Sequence, residues 1–332
     1  MAEGLEKLED MIVRAAETTA THVQAAKTAI GAVIFGQDKV VEQALITVLS
    51  GGHALLVGVP GLAKTKLVET MGVVLGLDAR RIQFTPDLMP SDILGAEVLE
   101  ESAGGKRGFR FISGPVFAQL LMADEINRAS PRTQSALLQA MQEQHVTVAG
   151  TRHDLPRPFH VLATQNPLEQ EGTYPLPEAQ LDRFLMEIDV DYPDKEAERR
   201  ILFDTTGADE TKPKAAMAAE DLMAAQRLVR RLPVGESVIE AILALVRSAR
   251  PGPETGQIGK LIAWGPSPRA SQALMLAVRA RALLEGRYAP SVDDVVALAE
   301  PVLQHRMALT FAARAEGETI AGVVGRLKAR LG

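Results

Sequence analysis

The chain has 332 residues, more than one compact domain usually holds, with enough apolar residues for a core in each of two. It contains no cysteine, which excludes disulfides and thiolate metal sites and reads as a protein of a reducing compartment, the cytoplasm. The net charge of −6 speaks against a nucleic-acid-coating surface, and no run approaches the roughly twenty apolar residues of a membrane span.

Residues 1–30, MAEGLEKLEDMIVRAAETTATHVQAAKTAI, place apolar residues at helical spacing without the uninterrupted apolar core of a signal peptide, and predict an N-terminal helix. From HALLVGV (53–59) to FLMEIDV (184–190), short apolar runs alternate with helical patterns, as in a parallel sheet with crossover helices. Strands are predicted near 54–58, 81–84, 119–123, 160–164 and 185–189. Two further stretches read as hairpins: AEVLEESAGGKRGFRFISG turning at Gly104–Gly105, and HVTVAGTRHDL turning at Ala149–Gly150. After DYPDKEAE (191–198) the strand signals stop, and the rest reads as helices between Gly/Pro-rich loops such as RPGPETGQIG (250–259). The expected division is an N-terminal helix over 1–30, an α/β core over 31–192 and a smaller all-helical domain over 193–332.

The chemistry begins at Gly58-Val59-Pro60-Gly61-Leu62-Ala63-Lys64-Thr65-Lys66, which leaves a predicted strand and opens a helix. Backbone N–H groups and the helix dipole can face phosphates there, with Lys64 as a point charge and the Thr65 hydroxyl on the Mg²⁺ that a nucleoside triphosphate brings. A strict phosphate loop has glycine where Ala63 stands, and the bland alternative is an ordinary strand-to-helix turn. QLLMADEIN (119–127) then ends an apolar strand on Asp124–Glu125, two carboxylates that need a positive partner at a buried strand end. Asp124 suits Mg²⁺ through its water shell, and Glu125 suits a general base for a lytic water. Asn166 falls at the carboxyl end of the next strand, within reach of a γ-phosphate, although Asn before Pro also forms turns. Arg183, in LDRF, would by itself be a surface ion-pair partner. In WGPSPRASQAL, Ser267 caps a helix, Pro268 occupies its first turn and Arg269 lies just inside.

Together these pieces resemble the AAA+ ATPases, and GVPGLAKT, GPVFAQLLMADEINRASPRTQSALLQAMQE, ATQNPLEQEGTYPLPEAQLDRFLM and SPRASQAL resemble the signatures of the MoxR branch from Gly36 onward. That branch tends to carry alanine at position 63. The resemblance implies an AAA+ P-loop core with hairpin inserts and a helical lid. It matches Lys64 and Thr65 to Walker A, Asp124 and Glu125 to Walker B, Asn166 to sensor 1, Arg269 to sensor 2, and Arg183 to an arginine finger reaching a neighbour's γ-phosphate. A ring follows, usually of six copies, with ATP and Mg²⁺ as its ligands. VIFGQDKV (33–40) resembles the adenine-side box, where backbone from Ile34 to Gly36 would meet the base; a turn before a helix at Asp38 is the alternative. Arg128 and Arg132 would approach the subunit interface.

The family further implies a chaperone-like role with a von Willebrand factor A-domain partner and a client enzyme. The alternatives are a nucleic-acid-acting motor and a magnesium-chelatase-type subunit. Nucleic acid is disfavoured because Lys106, Arg107, Phe109 and Arg110 of the first hairpin are mixed with Glu97, Glu100 and Glu101, and Arg152 and His153 of the second with Asp154.

Overall fold

The computed structural model describes residues 2–101, 107–169, 171–207, 211–252 and 255–331, with side chains of the first helix from residue 16 onward. In chain order it runs α1 (Ala2–Gly31), α2 (Asp38–Leu49), β1 (Ala54–Val57), α3 (Lys64–Val74), β2 (Ala79–Gln83), α4 (Pro90–Leu94), β3 (Gly95–Glu101), β4 (Arg107–Ser113), β5 (Leu120–Asp124), α5 (Pro131–Glu143), β6 (His145–Val148), β7 (Thr151–Asp154), β8 (His160–Gln165), α6 (Glu178–Leu181) and β9 (Met186–Asp189). Helices follow: α7 (Lys195–Thr206), α8 (Ala219–Val229), α9 (Glu236–Ser248) and α10 (Gly256–Leu261). Then come β10 (Ile262–Trp264), α11 (Pro268–Leu284), α12 (Val292–Leu303), β11 (Ala308–Leu309), α13 (Phe311–Ala315) and α14 (Ile320–Lys328).

The five strands expected from the apolar runs form one parallel sheet in the order β2-β5-β8-β1-β9. Strand alternation sorts its side chains into two cores. Leu56, Met122, Leu162, Met186 and Ile188 point to one side, where they join α2, α3 and the helices after residue 216. Leu55, Leu121, Ala123, Val161 and Ala163 point to the other, against α4 and α5. The first core runs without interruption from Ala20 of α1 to Leu327 of α14, so the helical part shares apolar packing with the sheet.

Both predicted hairpins form, β3 with β4 and β6 with β7. Ala149 and Gly150 both take positive φ, 48° and 82°, as a two-residue turn between twisted strands requires. The predicted turn at Gly104–Gly105, with Lys106, lies outside the described residues. One feature departs from the helices-only reading of the C-terminal region: β10 and β11 pair antiparallel over two or three residues. Pairs this short leave no periodicity in the sequence, and here the segments meet because the helices on either side bring them together.

Candidate functional site

Parallel strands deliver their carboxyl ends to one rim, and a crevice outside that rim is where such sheets hold ligands. β1 leads into the loop 58–63. Gly58 has no room for a side chain, since a Cβ would lie 2.5 Å from the Val190 carbonyl oxygen beyond β9. Gly61 takes φ +85°, and Ala63 holds the N-cap of α3 in the left-handed region at φ 57°, a strain tolerated because it turns the loop onto the helix axis. The N-cap side chain makes no hydrogen bond to the first turn, so backbone N–H groups there face the cavity. Lys64 Nζ donates to the carbonyl oxygens of Gly58 and of Val59, the latter at 3.0 Å. Burial pulls its ammonium below the usual lysine value, opposed by the charges of Asp124 and Glu125.

Asp124 ends β5, 9% exposed. Its Oδ1 accepts from Thr164 Oγ1 at 2.5 Å, and its Oδ2 from Arg81 Nη2 at 2.7 Å and Nε at 3.1 Å. Glu125 follows in the left-handed region, φ 55° and ψ 50°, which swings its carboxylate out of the strand line. Its N–H donates to Thr164 Oγ1 at 2.8 Å, while Oε2 accepts from Gln83 Nε2 at 2.7 Å and Arg128 Nη1 at 2.9 Å. The hydrogen bond to Glu125, together with its charge, holds the Arg128 guanidinium above its usual value. Asn166 is 5% exposed, and its Oδ1 accepts the Leu168 N–H at 3.1 Å.

Pro60, Gly61, Leu62, Ala63, Lys64, Thr65, Lys66, Asp124, Glu125, Thr164 and Asn166 wall a single cavity of about 400 Å³. Beside it, sharing Gly61, Leu62, Ala63 and Lys66, lies an apolar slot of about 290 Å³ closed by Val33, Ile34, Phe35, Gln37, Pro193, Ile201 and Thr205. Gly36 turns with φ +68° against α7, where a Cβ would meet that of Ala197 at 2.4 Å. One compartment is polar, with two lysines, two hydroxyls, uncapped amides and two carboxylates, and its neighbour is lined mostly by apolar side chains. That division matches a nucleoside triphosphate. The Thr65 hydroxyl and Asp124 also fit Mg²⁺, because Asp124 Oδ1 accepts one hydrogen bond and keeps a lone pair for a metal-bound water.

Four sequence-predicted residues, Gly36, Gly58, Arg183 and Arg269, are not among the described residues walling either compartment, and the two glycines act there through their backbone turns. Arg183, between α6 and β9, sends Nη1 to the Leu138 carbonyl at 2.7 Å. Arg269, exposed on the first turn of α11, donates its N–H to Ser267 Oγ, which also donates to Asp182 Oδ2 at 3.0 Å. Arg128 pairs with Glu125, whereas Arg132 is exposed at the start of α5. Sequence reading missed Arg81, Gln83 and Thr164. Their only signal is position near the carboxyl ends of strands, and the sheet register that seats Gln83 beside Asp124 has no local trace.

The model of the ATPase family associated with various cellular activities (AAA) matches residues 53–186, and the AAA lid domain model matches residues 258–325. The chain is 44% identical over 286 residues to Chaperone MoxR1 of Mycobacterium tuberculosis, covering 86% of this chain and 75% of that protein. It is 33% identical over 303 residues to Protein MoxR of Paracoccus denitrificans, covering 86% of this chain and 88% of the relative. A protein from Cytophaga hutchinsonii, solved as a candidate ATPase, superposes with TM-score 0.87 at 36% identity, covering 98% of this chain and 97% of that one.

Proposed function

The chain belongs to the MoxR family of AAA+ ATPases, and we propose that it couples ATP hydrolysis, in a ring of its own copies, to remodelling or maturation of a protein client. The observation that carries the nucleotide part is the convergence of residues 60–66, Asp124, Glu125 and Asn166 on one cavity beside an apolar slot.

The triphosphate lies along the uncapped N-terminus of α3, with Lys64 on the β- and γ-phosphates and the base between Ile34–Gly36 and Ile201. Thr65 and Asp124 hold Mg²⁺, which when bound offsets charge on the phosphate oxygens. Glu125 takes a proton from the attacking water, and Gln83 and Arg128 orient its carboxylate. Asn166 aligns the γ-phosphate or that water. Because Arg183 is held to the Leu138 carbonyl of α5 and is not among the described residues walling its own cavity, its role as a finger falls at a neighbour's site, making hydrolysis dependent on assembly, most simply as a hexamer.

The client side rests on the kinship with a protein named as a chaperone, and a von Willebrand factor A-domain protein with an associated enzyme is the partnership proposed. The hairpins weigh against a DNA-tracking motor. Arg107 pairs with Glu101, Arg110 with Glu100 and Arg152 with Asp154, so these cations are offset within their own hairpins. The test is capture by the Glu125→Gln protein, loaded with ATP in lysate of its source, with and without nuclease. Recovery of a von Willebrand A-type protein and an enzyme regardless of nuclease supports the proposal. Nuclease-sensitive recovery replaces it with the motor, and recovery only of a tetrapyrrole-binding partner replaces it with a chelatase subunit.

A further inference from the structure

Arg306 is 2% exposed and lies in a single 3₁₀ turn after α12. All five of its N–H groups have acceptors. Nε donates to Asp182 Oδ1 at 2.7 Å; Nη2 donates to the carbonyls of Asp182 at 3.4 Å and Phe184 at 2.5 Å. Nη1 donates to Leu185 O at 3.0 Å and to Val302 O of α12 at 2.6 Å. Four of the five bonds thus grip the residues on either side of Arg183. The grip is extended by the neighbours of Arg306: His305 Nε2 meets Phe184 O at 3.1 Å, and Gln304 Nε2 donates to Glu187 O and Asp189 Oδ2.

The second oxygen of Asp182 leads to α11. Ser267 Oγ donates to Asp182 Oδ2 at 3.0 Å and accepts the Arg269 N–H at 3.1 Å. One continuous chain therefore joins the backbone of Arg269, at the start of the lid helix, to the residue preceding Arg183. A carboxylate shared between a buried guanidinium and a helix cap permits few arrangements, so movement of α11 is transmitted to the 182–185 segment.

We propose that Asp182, Arg306 and Ser267 are positioning residues that set the presentation of Arg183 to the adjacent subunit according to where α11 sits. The inference rests on the reading of Arg183 as a finger acting in trans. Arg306→Lys keeps the charge and loses the five-donor fork. It is expected to leave affinity for a fluorescent ATP analogue within about twofold while lowering hydrolysis at least about tenfold, the scale of a misplaced transition-state contact.

Mixed rings separate positioning from general damage. Lys64→Ala subunits have no working nucleotide site but an intact Arg183 segment, so co-assembly with Arg306→Lys subunits should restore hydrolysis above either parent. Co-assembly of Arg306→Lys with Arg183→Ala should restore none. Failure of the first mixture while Arg183→Ala with Lys64→Ala recovers overturns the proposal, because the Arg306→Lys subunit is then damaged at its own site. If Arg183→Ala with Lys64→Ala also fails, the trans-finger reading is wrong and the positioning role of Asp182, Arg306 and Ser267 falls with it. Should Arg306→Lys not fold by thermal melting, Ser267→Ala leaves the buried pair in place. Hydrolysis lowered about threefold and rescued by Lys64→Ala supports the positioning role, and unchanged hydrolysis overturns it.

Discussion

Lys64, Glu125 and Thr164 have different tasks in the same cavity, and single substitutions distinguish them. Lys64→Ala removes the cation that is held by the Gly58 and Val59 carbonyls of the phosphate loop. ATP binding should weaken by about 2–3 kcal/mol, roughly 30- to 150-fold, in a fluorescent-nucleotide titration. Glu125→Gln keeps the size and can still receive the Gln83 and Arg128 hydrogen bonds, but it cannot take a proton. It should bind ATP normally and hydrolyse it about 10²- to 10⁴-fold more slowly. Thr164→Val keeps the shape while removing the hydroxyl that joins Asp124 Oδ1 to the Glu125 N–H. The loss leaves that N–H unpaired, so a destabilisation of about 1–2 kcal/mol should accompany slower hydrolysis, read by urea unfolding and phosphate release.

Among the elements, the junction of α11 and α12 depends on one buried carboxylate. Asp294 is 0% exposed and accepts from Arg281 Nη1 at 2.6 Å, Arg287 Nη2 at 2.6 Å and the Ser291 N–H at 2.7 Å. Arg281 also reaches Glu42 of α2, tying the helical region to the sheet layer. Burial pushes the Asp294 carboxyl up, but the hydrogen bonds from Arg287 and Ser291 and the arginine charges outweigh it and hold the group below its usual value. Its contribution is therefore fully present above the ordinary aspartate range and is lost as pH falls below about 4. Asp294→Ala should lower stability by about 3–5 kcal/mol near neutral pH, because two arginines lose their buried partner. Urea midpoints followed from pH 7 to 3 should then decline less steeply in the variant than in the parent.

Across the molecule as a whole, Arg183 is bound to the Leu138 carbonyl of α5 and is not among the described residues walling the cavity of its own chain. The proposed ring would bring that arginine to the cavity of a neighbouring copy. Glu125→Gln with ATP should elute as a closed oligomer by light scattering, whereas Arg183→Ala should bind ATP with unchanged affinity and lose hydrolysis about 10³-fold or more, as loss of an arginine finger does. Retention of turnover by Arg183→Ala would remove it from the hydrolytic site. No helix among the described residues is long and apolar enough to cross a membrane.

The parallel sheet, the two hairpins, the phosphate loop and the acidic strand end are legible in the order of amino acids, because each is written in neighbouring residues. Apolar runs mark buried strands, a Gly-Leu-Ala-Lys-Thr turn marks a helix N-terminus, and a carboxylate pair after four apolar residues needs a cation. Which residues hold Asp124 and Glu125 follows from how the sheet is assembled. Arg81, Gln83 and Thr164 lie about forty positions away in sequence, and they meet the carboxylates because β5 sits between β2 and β8 in a particular register. Arg306 is the extreme case, buried 124 positions from Asp182. In the sequence it is one arginine among many, since a contact between distant elements depends on how the chain closes, and no local periodicity encodes that.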